Sequence, residues 1–289
     1  MQTSLDCLPC FLHQALGVAR RISDQPTRQQ EILLAANRLL TDFDLDLSPP
    51  ENAISLYRLL TEMSGCPDLF AELKRQSNRQ TLEMLPDLRL KLATAPNPLE
   101  MAVRLAIAGN IIDYGALVDF DLQTVINRCQ TAELKGTTFS QFNSDLRNAR
   151  NILYLADNCG ELAFDRLLIE QLDQPVTVAV KESPILNDAL REDALFCRID
   201  KVAEIISNGT ACPGTPLGRC SKAFQQCFAE ADLIISKGQG NFETLSEVRA
   251  PIYFLLMVKC PTVAAHLNDL DNPPAAGFKL GDLVLKRSR

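Results

Sequence analysis

The two halves of the chain differ in the spacing of their apolar residues. Up to about Arg150, apolar residues recur at intervals of three and four, as on the buried face of an amphipathic helix. Beyond Arg150, short β-rich apolar runs alternate with helical stretches. We therefore expect an N-terminal multihelical domain, residues 1–148, packed on a C-terminal α/β domain, residues 149–289.

The N-terminal half is predicted to be entirely helical. Pro50 and Pro98 suit the first position of a helix, and Asp68 or Asn97 suits a cap. No strand, tandem repeat or low-complexity tract is expected here. The predicted helices are residues 11–23, 27–43, 50–63, 68–93, 98–112 and 123–134.

The C-terminal half is predicted to alternate strands and helices. The strands recur every ~20 to 30 residues, which is the length of a βα unit, so the sheet should be mainly parallel and covered by helices on both faces. This is an α/β/α three-layer architecture. The predicted strands are residues 152–156, 176–180, 203–207, 232–236 and 252–258, with residues 263–266 and 283–285 as weaker candidates for edge strands.

Polar residues and glycines follow each predicted strand. Because the carboxyl ends of parallel strands meet at one edge of a sheet, these residues should converge on one crevice, where open α/β sheets bind ligands. The alternative is a set of ordinary turns, with Asn158 or Cys159 near a helix cap. In strand order the residues are Asp157, Asn158 and Gly160; Lys181, Asn187 and Asp188; Asn208 and Gly209; Lys237, Gly238 and Gly240; and Lys259 and Cys260.

Two kinds of binding site are indicated in this crevice. Asp157, Asn158 and Asp188 offer two carboxylates and an amide oxygen, which suit a hard divalent cation such as Mg²⁺ or Mn²⁺. Asp188 is also a candidate N-cap for a helix over residues 189–194. Lys237, Gly238 and Gly240 are typical of an anion site, although they match neither a Walker A loop nor a dinucleotide fingerprint. A metal beside an anion site predicts phosphate-ester hydrolysis.

The composition excludes several other functions. With 29 basic and 36 acidic residues the net charge is −7, and no basic stripe is interleaved with aromatics, so nucleic acid is not an expected partner. No apolar run approaches the ~18 residues of a membrane helix, so no membrane partner is expected. With only His13 and His266, a histidine-rich zinc site is excluded. The first twelve residues lack a basic signal-peptide region, so a cytoplasmic location is expected.

The ten cysteines are expected to be reduced in such a chain. For Cys7-x-x-Cys10 three interpretations stay open: a redox pair, a second metal site with His13 and Cys66 as further ligands, or two thiols on a buried helix face. Cys159 is interpreted as a small packing residue, because neighbouring carboxylates would disfavour its thiolate.

The motifs together resemble the DUF89, or damage-control phosphatase, family. The resemblance runs from residue 7 to residue 260, in the order typical of the family, and the paired N-terminal cysteines point to its smaller, stand-alone prokaryotic branch. The motifs are Cys7-Leu8-Pro9-Cys10 with Gln14, Gly109-Asn110-Ile111-Ile112-Asp113, Asp157-Asn158-x-Gly160-Glu161, Asn187-Asp188, Lys237-Gly238-x-Gly240-Asn241-Phe242-Glu243 and Lys259-Cys260.

The resemblance implies a metal-dependent phosphatase for small phosphorylated metabolites, with Mn²⁺, Co²⁺, Ni²⁺ or Mg²⁺ as cofactor. Asp157, Asn158 and Asp188 would hold the metal. Two other functions are considered for the protein: a non-catalytic module that binds a nucleotide or phosphorylated metabolite and, less favoured, a methyltransferase. The implied catalytic residues are Asp157, Asp188 and Lys237, and the implied substrate-binding residues are Asn110, Asp113, Gly160, Glu161, Lys237, Gly238, Gly240 and Asn241.

Overall fold

The computed structural model of the chain describes residues 1–109, 132–270 and 277–288. Its first half is helical, as predicted, with starts and ends within a few residues of those expected. The predicted helix over residues 123–134 lies outside the described residues up to residue 131. The helices are α1 (Cys7–Ile22), α2 (Pro26–Leu39), α3 (Pro49–Ser64), α4 (Ala71–Thr94) and α5 (Pro98–Gly109).

Local sequence fixes the ends of α3, the helix that reaches the site. Ser48 precedes it in an extended conformation, and Glu51 accepts hydrogen bonds at Oε2 from the Ser48 backbone N–H (3.1 Å) and from its hydroxyl (2.7 Å). Proline at the first helical position loses no hydrogen bond there. The helix ends at Gly65, whose φ of +67° is a conformation that glycine adopts without strain.

A seven-stranded sheet forms the second half, with order β1-β7-β6-β5-β2-β3-β4. Every neighbouring pair is parallel except β6 and β7, so the predicted mainly parallel sheet is confirmed. The strands are β1 (Leu134–Gly136), β2 (Ile152–Leu155), β3 (Val176–Val180), β4 (Glu204–Ser207), β5 (Leu233–Lys237), β6 (Ile252–Met257) and β7 (Leu283–Arg287).

Two expectations about strands were wrong. Residues 134–136 form the edge strand β1, although no strand was expected in this half and residue 134 was expected to end a helix. Residues 263–266, considered as a strand, lie within a helix that begins at Pro261, because Val263 and Leu267 share its buried face at helical spacing. The segment at residues 283–285 is a strand, β7, but it lies between β1 and β6 rather than at the edge.

Helices cover both faces of the sheet, which confirms the three-layer α/β/α class. Tyr154 and Ile235 point to the face on which α4 and α5 pack, and Leu153 and Ile234 point to the opposite face. Because side chains alternate along a strand, slipping the register by one residue would move each of these groups to the opposite core. The helices are α6 (Phe139–Asn148), α7 (Leu162–Ile169), α8 (Arg191–Phe196), α9 (Lys222–Glu230), α10 (Gln239–Leu245) and α11 (Pro261–Leu270).

The N-terminal helices contribute to two cores. Helices α4 and α5 pack on the sheet, whereas α1 to α3 form a separate apolar cluster around Phe11 and Leu56 that also contacts Ile185 from the loop after β3. The division at residue 148 therefore stays a prediction, with β1 and α6 of the sheet layer on its N-terminal side. None of the described helices combines the length and apolar character needed to cross a membrane.

Candidate active site

A cleft of about 530 Å³ lies between the sheet edge and helices α1 and α3. One side is formed by residues that follow β2, β3, β5 and β6, and the other by residues of the two helices. We call the first side the cleft floor and the second the cleft wall. The floor comprises Asp157, Asn158, Asp188, Gly240, Glu243 and Lys259, and the wall comprises Cys7, Cys10, Phe11, Gln14, Pro50 and Tyr57.

Backbone pairing brings the two acids of the floor together. The loop after β3 runs back alongside the end of β2, so that Ala189 N donates to Asp157 O (2.8 Å) and Cys159 N donates to Asn187 O (2.9 Å). Asp188 consequently lies opposite Asn158 in an antiparallel bridge. The alternative that Asp188 caps a helix is wrong, because α8 begins at Arg191.

The floor is an electrostatically crowded place. Burial raises the pKa of Asp157 well above its ordinary value, and the nearby carboxylates of Glu161 and Asp188 raise it further. Lys181 and Lys259 act in the opposite direction. The Lys181 ammonium lies 3.5 Å from Asp188 Oδ2 and donates to Gly214 O (2.7 Å). A cation bound among these carboxylates would relieve their repulsion and favour their ionised forms.

The chemistry of the donor set fits a hard divalent cation. Asn158 Nδ2 donates to Asp157 Oδ2 (3.1 Å) and to Glu161 Oε1 (2.6 Å), which leaves Asn158 Oδ1 as the amide atom that can bind a cation. Across the described ranges, no three histidine, cysteine, aspartate or glutamate side chains are arranged to hold a metal ion. A metal between Asp157 and Asp188 therefore depends on the Asn158 amide oxygen as a third protein ligand.

Lys237 is not among the residues that line the cleft in the described part of the structure. Its ammonium is fully buried and donates to Glu161 Oε2 (2.8 Å) and to Asp165 Oδ1 (2.6 Å). Although burial lowers the pKa of Lys237, the charges of Asp165 and Glu161 raise it by more, so the ammonium stays protonated. The predicted contact between Lys237 and a substrate phosphate is not favoured by this position, since Lys259 is the lysine that faces the cleft.

The predicted glycines serve close packing. Gly238 has a φ of +78°, and a Cβ atom there would lie 1.8 Å from Asp157 Oδ2. At Gly240, which does line the cleft, a Cβ would lie 1.8 Å from Pro213 O. Both positions therefore exclude a side chain. Gly160 is buried in a short 3₁₀ turn after β2.

Asn241 braces the site from behind instead of facing the cleft. Its Nδ2 donates to Lys237 O (2.8 Å) and Ala156 O (3.2 Å), and its Oδ1 accepts from Thr215 Oγ1 (2.7 Å). The fully buried amide thus ties the ends of β2 and β5 to the loop after β4, and its predicted contact with phosphate is not favoured. The other two predicted substrate-binding residues, Asn110 and Asp113, lie outside the described residues.

Sequence reasoning left three residues near the acids without a role. Lys181 directly follows β3 and Lys259 lies two residues after β6, and these positions were a usable signal. The third is Glu243, on α10. Burial raises the pKa of Glu243 to about 7, even though Gln239 Nε2 donates to its Oε1 (2.9 Å). Its apolar neighbours Phe242 and Leu245 were the available sign that this short helix packs against the core.

The paired cysteines lie on the cleft wall. Cys10 is exposed and accepts from Gln14 Nε2 (3.3 Å), so the interpretation of two thiols on a buried face was wrong. The residue that lines the cleft together with Cys7 and Cys10 is Cys260, and neither His13 nor Cys66, the expected further ligands, lines it. The nine cysteines in the described ranges are free thiols. Cys159 is buried, and burial raises its pKa, as expected of a packing residue.

Comparison with known proteins gives one consistent result. Residues 3–272 match the family described as damage-control phosphatase ARMT1-like domain. A damage-control phosphatase of Pyrococcus horikoshii is 35% identical over 92% of this chain and 94% of its own length. One of Archaeoglobus fulgidus is 29% identical over 99% of both chains. The crystal structure of a DUF89 family protein from Pyrococcus horikoshii superposes with a TM-score of 0.88, at 32% identity, over 100% of both chains.

Proposed function

Because this chain belongs to the damage-control phosphatase ARMT1-like family, we propose that it hydrolyses phosphate monoesters of small metabolites with the help of a divalent metal ion. Relatives that match it over nearly their whole length are named damage-control phosphatases, which supports a phosphatase role. The metal and the substrate class go beyond those names. They are supported by the cleft itself.

The observation that carries the proposal is the junction of Asp157, Asn158 and Asp188 at the cleft floor. Two carboxylates and one amide oxygen satisfy a hard cation only in part, so further positions stay open for water and a phosphate oxygen. Mn²⁺, Co²⁺, Ni²⁺ or Mg²⁺ is the proposed cofactor. Asp157, Asn158 and Asp188 would hold such an ion, which would supply polarisation of a phosphoryl group and activation of water.

The chain's own residues supply the rest of the proposed mechanism. Lys259 faces the cleft from the end of β6, where its charge would orient a phosphate dianion and balance charge that develops on it. Lys181 forms an ion pair with Asp188, and the hydrogen bond from Lys181 Nζ to Gly214 O fixes the position of the ammonium. Both lysines act to lower the pKa of Asp157 and so favour its ionised form, the form that binds metal.

The wall of the cleft would receive the part of the substrate that carries the phosphate. A cleft of about 530 Å³ falls within the range of small-molecule sites. Phe11 and Tyr57 offer aromatic surface there, and Gln14 offers a polar amide. The proposed partner is accordingly a small phosphorylated metabolite.

The test is release of inorganic phosphate from an aryl phosphate by metal-stripped protein, before and after addition of Mn²⁺ or Co²⁺. Turnover is expected only with metal. Asp157→Ala and Asp188→Ala should each lower it by about 100-fold or more, because each removes a metal ligand. Asp200→Ala is the matched control, since Asp200 is exposed and pairs with Lys201.

The proposal would be refuted if turnover persists both after removal of metal with a chelator and in the two alanine variants. A protein that binds phosphorylated metabolites tightly without metal, and releases no phosphate from a broad panel, would instead be a binding module. Circular dichroism of each variant establishes that the fold is retained.

A further inference from the structure

We propose that Lys237 is a positioning residue, and that the buried side chains of Tyr154, Asp165, Lys237 and Glu161 together set the orientation of the Asn158 amide. We call these four residues the buried chain. The inference rests on the proposed function, since it concerns a side chain proposed to hold the metal. It gives Lys237 a role different from the phosphate contact that the sequence predicted.

The buried chain is continuous and has almost no access to water. Tyr154 donates its hydroxyl to Asp165 Oδ1 (2.7 Å), and Lys237 Nζ donates to the same oxygen (2.6 Å) and to Glu161 Oε2 (2.8 Å). All four side chains are at most about 1% exposed. Hydrogen bonds in such a low-dielectric place are strong, and a missing partner is not replaced by solvent.

The buried chain ends in a hydrogen bond to the side-chain amide of Asn158. Glu161 Oε1 accepts from Asn158 Nδ2 (2.6 Å), and the same nitrogen donates to Asp157 Oδ2 (3.1 Å). Two carboxylate oxygens on one side of an amide can be satisfied only by its NH₂ group. If the amide were flipped, its oxygen would face both carboxylates, so Glu161 keeps Oδ1, the atom proposed to bind the cation, turned away from these two carboxylate oxygens.

Lys237 is what holds Glu161 in place. An ammonium has three N–H donors, and two of them are taken by Asp165 and Glu161. To reach a phosphate, the ammonium would have to leave two buried carboxylates without a counter-charge, which is strongly unfavourable. Its action on the site therefore passes through Glu161.

The decisive experiment is the Mn²⁺ affinity of Lys237→Met, measured on metal-stripped protein from the electron paramagnetic resonance signal of free Mn²⁺. Three roles for Lys237 predict different results. If only its charge mattered, removing a cation would tighten Mn²⁺ binding. If it were only a phosphate ligand, the affinity would not change. As a positioning residue it should weaken binding by about tenfold, as substitutions behind metal ligands do.

Glu161→Gln tests the same link without removing the lysine, and an unchanged Mn²⁺ affinity in this variant would contradict the link even if Lys237→Met does not fold. Glutamine has one acceptor oxygen, whereas Glu161 accepts from both Asn158 and Lys237. One of the two bonds must be lost. The Mn²⁺ affinity is again expected to fall by about tenfold.

A matched pair of aspartates provides the control. Asp145 Oδ2 accepts from Tyr253 OH (2.6 Å) and lies 3.3 Å from Arg287 Nε, so it repeats the tyrosine, aspartate and cation arrangement of Asp165 without a link to Asn158. Asp165→Asn should weaken Mn²⁺ binding, and Asp145→Asn should leave it unchanged. Melting temperatures of the metal-free variants report any loss of stability separately.

Unchanged or tighter Mn²⁺ binding in both Lys237→Met and Glu161→Gln would overturn the inference while leaving the proposed function intact. Equal weakening in Asp165→Asn and Asp145→Asn would also overturn it, because the effect would then be general. Wild-type protein that binds no divalent metal would refute the proposed function itself, and the two failures are thus distinguishable.

Discussion

The buried chain and the cleft wall are two polar regions of the same site, and they differ in charge and in access to water. The buried chain places an ammonium against two carboxylates, with no exposed surface. The wall presents neutral side chains, of which Cys10 is exposed and Gln14 is half-buried. The buried chain has its hydrogen bonds between side chains inside the protein, with Asp165 Oδ2 left without a hydrogen-bond partner among the described residues. The wall has polar atoms that can still exchange partners.

The difference separates two tasks that a binding site must perform. Buried charges are costly to separate, so a region built from them keeps one geometry and suits the holding of ligands at the floor. Neutral groups at a solvated surface accept different partners at little cost, so the wall suits contact with variable parts of a substrate. Substitutions should therefore have large effects in the buried chain and small effects on the wall.

The largest effect is expected for Lys237→Met on stability. Removing the ammonium leaves Glu161 and Asp165 buried without a counter-charge, which should lower the free energy of unfolding by about 3–5 kcal/mol. Urea denaturation at neutral pH measures it. Lys259→Met is the control, since this lysine faces the cleft and should contribute no more than about 1 kcal/mol. Equal losses would erase the distinction between buried and cleft-facing charges.

The next effect concerns Glu243, a buried carboxyl that lines the cleft. Its pKa is raised from 4.5 to about 7 in the folded state, mainly by burial. The folded state thus binds this proton more tightly than the unfolded state, and the free energy of unfolding should fall as pH rises from about 4.5 to about 7. The total change is about 3 kcal/mol. Glu243→Gln should remove this part of the pH dependence.

Glu230→Gln is the matched control for that measurement. Glu230 accepts from Gln226 (2.8 Å) at the same spacing as Glu243 accepts from Gln239 (2.9 Å), but it is exposed. A plot of the free energy of unfolding against pH, from pH 4 to pH 8, should therefore be flatter for Glu243→Gln than for wild type. The plot for Glu230→Gln should keep the wild-type slope. A Glu243→Gln curve parallel to wild type would show that folding does not raise the pKa of this carboxyl.

The smallest effect is expected on the wall, at Tyr57. Its hydroxyl donates to Gln14 Oε1 (2.8 Å), a neutral acceptor, so Tyr57→Phe should destabilise by about 1 kcal/mol. Tyr154→Phe in the buried chain loses a bond to a carboxylate (2.7 Å) and should lose about 1.5–3 kcal/mol. Chemical denaturation of both variants checks the order, and a reversed order would contradict the comparison between the two regions.

Much of the fold follows from periodicity in the sequence. The prediction of a strand over residues 176–180 coincides with β3, and Pro98 begins α5 as expected. β1 was missed because three residues are too few to show a period of two. The segment over residues 263–266 was ambiguous because a short apolar run fits a strand and a buried helix equally, and its neighbours Pro261 and Leu267 favour the helix.

The site was predictable only where strands fix it. Asp157, Asn158 and Asp188 come together because β2 and β3 are adjacent and parallel. The direction of Lys237 was not recognised, although a period of two places it on the same face of β5 as Ile235. Its partner Asp165 was an acid within an apolar helix, which is a signal of a buried ion pair. The wall could not be predicted, since it comes from helices over 90 residues away in sequence.

The central place of β2 and β5 in the sheet has a consequence for how the protein fluctuates. These two strands are neighbours, each paired on both sides, and they carry Asp157 and Lys237 at their ends. Interior strands open to hydrogen exchange only with global unfolding, whereas peripheral loops open on their own. Asp157 and Asn158, the proposed metal ligands that follow β2, are therefore expected to share the slow hydrogen exchange of the sheet interior. Any ion bound there would add its binding free energy to the stability of the whole domain.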